Sequence, residues 1–257
     1  MLTVVAVLVP LVPIAVAVEL TSGSTPPPAA TGAGTVHLSV AGGQAPVPAA
    51  PVQSLLVPPG HGALVASVAT TTPLRSRPGG RVLGRLRPRT PYGSRSSLWV
   101  LRRSGRWLGV VTPQAGNDRV AWIAASAASL ARVDWELSVS LNERRLTVLH
   151  GGRVVRRYTI AVGAPANPTP TGRFAVTDRL LTGDPAGPYG CCILALSAVA
   201  PHAIQGWTGG NRIAIHSTPE TWSIGEAVSH GCMRLTLAEG RWLVSHIPLG
   251  TPTVIRA

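Results

Sequence analysis

The chain has 257 residues, of which 23 are basic and 10 acidic, so its formal net charge is +13, and every basic residue is an arginine. Hydrophobic residues make up 45% and aromatic residues only 4%, with 28 glycines and 24 prolines, which is enough apolar material for buried cores and favours turns and strands over long helices. The arginines are spread along the sequence and interleave with no aromatic cluster, which argues against a nucleic-acid reader. The bias is equally consistent with an acidic partner and with a coding preference for arginine.

In chain order, Leu2 to Val18 is almost purely apolar and ends near Ala15-Val16-Ala17, the pattern of a signal-peptide core and its small-residue cleavage site. It is shorter than the ~20 residues of a membrane span and contains Pro10 and Pro13. No positive residue precedes it, a departure from the signal-peptide pattern; residues 1–18 read as a signal peptide or an uncleaved anchor, and the protein is expected to be extracytoplasmic, secreted or membrane-anchored. Residues 19–61 are rich in Pro, Ala and Gly with hardly a charge, a composition that behaves as an extended linker.

Residues 62–132 carry short apolar runs, Ala63 to Val68, Leu98 to Leu101, Trp107 to Val111 and Val120 to Ile123, separated by turns such as Pro78-Gly79-Gly80. This spacing predicts a small antiparallel barrel in which Trp99, Trp107 and Trp122 are core or half-buried. Residues 133–257 begin with a meander over Leu137 to Leu141, Leu146 to His150 and Val154 to Val162, with Gly151-Gly152 supplying the positive φ of a hairpin turn. Leu237 to Ile247 is the helix candidate and Thr251 to Arg256 a closing strand. The fold class is therefore mainly β, a small barrel followed by a β-sandwich with one or two short helices.

The chemistry is concentrated in Ser229-His230-Gly231-Cys232-Met233-Arg234 and, upstream, in Ile213-Ala214-Ile215-His216-Ser217. A thiol is only slightly ionised at neutral pH, so a cysteine nucleophile requires a base or positive charge beside it. His216 ends an alternating apolar run, which suits a strand that fixes its ring, and takes the role of general base; His230 is assigned a supporting one. Gly231 lets a carbonyl approach the N–H groups of Gly231 and Cys232, which would form an oxyanion hole. Cys191 and Cys192 lead into the apolar strand Cys191 to Leu196 and read as small buried hydrophobes, since a bridge between neighbours would be strained and pairing with Cys232 would remove the nucleophile. A metal site of His216, His230 and Cys232 lacks a fourth ligand, so no metal and no other cofactor is implied.

These residues resemble the signature of the L,D-transpeptidase catalytic domain, the YkuD-type fold. Thr169-Pro170-Thr171-Gly172-Arg173-Phe174 is similar to a turn and strand that precede its site, Gly187-Pro188-Tyr189-Gly190 to its active-site loop, and Arg145 to Val162 to its first hairpin. Many members carry glycine where this chain has Ser217, whose backbone carbonyl is the family's partner for the base histidine. Leu74-Arg75-Ser76-Arg77-Pro78, Gly84-Arg85-Leu86, Trp107 to Val110 and Ala121-Trp122-Ile123 resemble bacterial SH3-like motifs.

The resemblance implies a cysteine acyltransferase that forms 3→3 cross-links between peptidoglycan stem peptides through a thioacyl-enzyme on Cys232, serving cell-wall biogenesis and cell shape. It also implies a supporting role for Ser217 and Gly231, with Arg234, Ser229 and Tyr189 touching substrate or, for Arg234, tying down the loop. The alternatives are an L,D-carboxypeptidase or hydrolase on the same site, or a non-catalytic wall-binding protein. The expected partners are donor and acceptor stem peptides and acidic wall polymers, with membrane contact only through the N-terminal segment and no nucleic acid.

Overall fold

A computed structural model describes residues 55–56, 62–202 and 211–257; the leader read over 1–18 and most of the linker read over 19–61 lie outside the described residues. The first unit is a sheet of β1 (Leu55–Leu56), β2 (Ala63–Val68), β3 (Thr72–Arg75), β4 (Val82–Leu86), β5 (Ser97–Ser104), β6 (Trp107–Val110), β7 (Ala121–Ala124) and β8 (Ala128–Val133). Its order is β4-β3-β7-β6-β5-β2-β8, with β1 paired to β5. β1 therefore falls inside the segment read as linker.

Each apolar run of the sequence becomes a strand that turns its apolar side chains inward, and Leu64, Leu74, Val100, Leu108 and Ile123 meet in one core. β4 and β8 carry no apolar run because they are the two ends of the sheet. Only Leu86 of β4 is buried, and the middle of β8 is exposed throughout. Trp122 is buried, and Trp107 is half-buried under the guanidinium groups of Arg75 and Arg106.

The second unit comprises β9 (Trp135–Ser140), β10 (Arg145–His150), β11 (Arg153–Thr159), β12 (Val162–Gly163), β13 (Gly172–Leu181), β14 (Cys192–Val199), β15 (Arg212–Ser217), β16 (Ala227–Ser229), β17 (Met233–Leu235), the helix α1 (Leu237–His246) and β18 (Pro252–Arg256). The strand order is β11-β10-β9-β18-β13-β14-β15-β17, with β12 and β16 paired apart. β13 joins the two layers. Gly172 to Ala175 pair with β18, Val176 to Leu181 with β14, and a register shift lies at Val176/Asp178. Because β13 passes between layers it is buried on both faces from Phe174 to Asp178, so its sequence does not alternate.

The layers enclose Leu137, Leu146, Phe174, Leu196, Ile215 and Met233, and α1 closes the core with Leu243. Gly151 and Gly152 take φ of 56° and 74° in the β10–β11 hairpin, as the sequence predicts. The helix starts at a capping box: the Thr236 hydroxyl accepts from the Glu239 N–H, and the Glu239 carboxylate accepts from the Thr236 N–H.

The two units are packed together. Leu101 and Val111 of the first bury against Ala175 of the second. Asn117 brackets Val199, donating from Nδ2 to its carbonyl at 2.7 Å and accepting its N–H on Oδ1 at 2.9 Å.

Candidate active site

β15 and β17 run parallel as neighbours with Ile215 opposite Met233 and His216 opposite Arg234. Successive side chains of a strand point to opposite faces, so burial of Ile215 and Met233 in the core sends His216, Arg234 and the preceding Cys232 to the other face. There His216, Cys232, Arg234, Tyr189 and His230 line one cavity of about 240 Å³. Parallel pairing thus brings together residues that a long crossover separates in sequence.

The turn that presents Cys232 is held by hydroxyls. Ser229 Oγ donates to the Cys232 carbonyl at 2.5 Å and accepts the Gly231 N–H at 3.1 Å, while Thr169 Oγ1 donates to the Gly231 carbonyl at 2.9 Å. Gly231 has φ of +109°, and a Cβ there would lie 2.9 Å from Ile213 Cδ1, so the position requires glycine.

Two expectations change. The Gly231 N–H, expected to be open to an oxyanion, donates to Ser229 Oγ at 3.1 Å. Ser229, although on the cavity wall, is buried, and its hydroxyl belongs to the turn rather than to substrate. Thr169 opens the Thr169-to-Phe174 segment, but nothing in the sequence marks it as the brace of this turn.

His216 is buried and its Nδ1 lies 2.8 Å from the Ser217 carbonyl oxygen. A carbonyl only accepts, so Nδ1 carries the proton and Nε2 is the basic nitrogen. Burial lowers the imidazole pKa to about 4, with Arg234 adding to the fall and the carbonyls of Ser217 and Tyr189 opposing it. Burial likewise pushes the Cys232 thiol up, against the pull of a hydrogen bond from the Ala214 backbone and the charge of Arg234. The Tyr189 ring stands edge-on to His216 at 5.1 Å, and burial followed by the nearby Cys232 raises its phenol to about 12. His230 is exposed at the rim of the cavity.

The Ser217 side chain ties the histidine strand to the loop before β14. It accepts the Cys192 N–H at 3.1 Å and lies 3.3 Å from the Tyr189 carbonyl. Arg234 pairs with Glu220 at 2.9 Å and exchanges backbone hydrogen bonds with Ala161, while its Nε is buried with no partner among the described residues. Glu220 was not singled out in sequence; it takes one guanidinium nitrogen, Nη1, of the arginine that was assigned to a substrate carboxylate or to tying down the loop. Cys191 and Cys192 are buried as expected but are bonded to each other, where the sequence reading kept them apart; Cys232 remains free. Adjacent cysteines turned into the same packed space beside Ser217 leave their sulfurs each other as the nearest thiol.

The fold is mainly β, with a buried histidine on β15 and a free cysteine just before the neighbouring parallel strand β17. Residues 134–255 match YkuD, the L,D-transpeptidase catalytic domain. The chain is 35% identical to YkuD of Bacillus licheniformis, a protein provisionally named as an L,D-transpeptidase, over 46% of this chain and 64% of that one. It is 30% identical to YqjB of Bacillus subtilis, provisionally named likewise, over 46% of this chain and 69% of that one. An L,D-transpeptidase structure from Mycobacterium smegmatis aligns with a TM-score of 0.37 at 20% identity, over 59% of this chain and 90% of that one. The chain belongs to the L,D-transpeptidase family. It spans just under two thirds of the length of the two YkuD relatives.

Proposed function

We propose that the protein is a peptidoglycan L,D-transpeptidase. Cys232 attacks the carbonyl that joins the third stem residue to the D-residue at position four, His216 Nε2 takes the thiol proton, and the tetrahedral intermediate collapses as that proton passes to the departing amine. A free amine on a second stem then attacks the thioester and loses a proton to His216, and Cys232 leaves as the thiol, giving a 3→3 cross-link. The Cys232 N–H and the Tyr189 phenol, whose pKa is about 12, are the candidate donors to the oxyanion.

The observation that carries this reading is the single cavity in which the free thiol of Cys232 shares its walls with His216 and Tyr189. The test is intact mass after incubation with a carbapenem and with stem peptides. One adduct on the native protein, none on Cys232→Ala, and a peptide dimer are expected. No adduct on the native protein would overturn the cysteine mechanism, and truncated monomer without dimer would make the enzyme a hydrolase.

We further read residues 62–132 as an SH3-like unit, supported by its short antiparallel strands and motifs, and place the protein outside the cytoplasmic membrane, where its substrate lies. Fractionation that finds it intact in the cytosol would refute that placement.

A further inference from the structure

A second cavity, of about 260 Å³, lies where β4 and the chain after it face β13 and β15. Arg85, Arg87, Arg89 and Arg212 line it together with Thr177 and Gln114, and no acidic residue does. None of these arginines enters an ion pair among the described residues. The Asp178 carboxylate is fully buried; its Oδ1 accepts from the Thr90 hydroxyl and its charge acts on Arg212. Arg85, Arg87 and Arg89, all exposed, thus join Arg212 in lining one cavity whose lining carries no acidic residue.

Arg212 belongs to both cavities. It also lines the Cys232 pocket, and its Nε donates to the Leu196 carbonyl at 2.9 Å while Nη2 reaches the Thr177 hydroxyl, so it stands as a fixed wall between them. Arg89 is oriented by donation from Nη1 to the Gly93 carbonyl at 2.7 Å. A planar guanidinium fork matches a carboxylate in a bidentate geometry.

We infer that this arginine cavity is a subsite for the free carboxylates of an acidic peptide whose reacting amide lies beside Cys232. The inference rests on the proposed acyl transfer, and the shared Arg212 wall favours one peptide spanning both cavities over a separate polyanion. The arginines of β4 and its following loop then select acidic over amidated peptides.

Fluorescence anisotropy with dye-labelled Ala-Glu-Glu-Ala, its counterpart Ala-Gln-Gln-Ala and a glycerol-phosphate oligomer of equal charge tests it. The acidic peptide is expected to bind about tenfold tighter than the amide, the preference weakening with salt, and R87Q/R89Q to remove most of it. Arg85→Gln provides a second variant should the first fail to fold. Equal binding of the two peptides, a preference that survives the variants, or tighter binding of the phosphate oligomer would overturn the subsite. The carbapenem adduct on the native protein reads the cysteine independently: an adduct without a carboxylate preference sinks the subsite alone, and a preference without an adduct sinks the reaction alone.

Discussion

Burial biases both Cys232 and His216 towards their neutral forms, which favours a neutral thiol–imidazole pair over a thiolate–imidazolium one. The imidazole remains a base at every pH above about 4. Acylation by a carbapenem is therefore expected to stay level with pH through 6.5, where the reacting pair of neutral thiol and neutral imidazole is fully populated, and to fall only as pH drops towards about 4. His216→Ala is expected to slow it by roughly 10²–10⁴, and His230→Ala by less. A break near 6.5 that His230→Ala abolishes would move the base to the exposed ring. The same burial couples to stability. Between pH 6.5 and about 4 the unfolded histidine takes a proton that the folded one refuses, so stability is full above 6.5 and falls by about 3 kcal/mol as pH drops through that window. Urea midpoints measured against pH should show this slope in the native protein and lose it in His216→Gln.

At the scale of elements, α1 sets the position of the histidine strand. Gly240 lies against Ser217, and a Cβ there would stand 2.8 Å from Ser217 Cβ and 3.3 Å from Cys192 Cβ. Alanine favours a helix over glycine by about 1 kcal/mol, but overpacking a buried contact costs about 1–3 kcal/mol. Gly240→Ala is thus expected to lower the melting temperature and to slow acylation, because Ser217 carries the carbonyl that holds His216 Nδ1. Unchanged acylation with lowered stability would show that the helix does not position the base.

The legible elements were those with a local cause: the glycines of the β10–β11 hairpin, the apolar runs of β2, β5 and β6, and the seam of α1. No apolar run marked β4 and β8 because edge strands bury little, and β13 was marked only at its start, by the resemblance over Thr169 to Phe174, because a strand between layers loses its alternation. In the site, Cys232 and His216 stood out by residue type. The roles of Ser229, Thr169 and Glu220 depend on contacts made only after β15 and β17 pair, which no local pattern encodes.

For the whole molecule, a barrel over residues 62–132 followed by a sandwich over 133–257 invites the expectation of two independently folding units, and the interface bears on it. The described residues fall within one compact unit that spans Ala50–Ala257. Removing the first unit would uncover Ala175 and Asp178, both fully buried, and strip Val199 of both bonds to Asn117. Those two hydrogen bonds contribute about 1 kcal/mol each, and the apolar contact of Leu101 and Val111 with Ala175 adds to them. Coupling of that size is a sizeable part of a stability of about 5–15 kcal/mol, so the chain is expected to unfold in one calorimetric transition. Asn117→Ala should shift that single transition down by several degrees, about 2 kcal/mol in all, without altering carbapenem acylation at 25 °C. Two resolved transitions, with Asn117→Ala moving only the first, would show that the units fold independently and that the interface merely holds finished parts side by side.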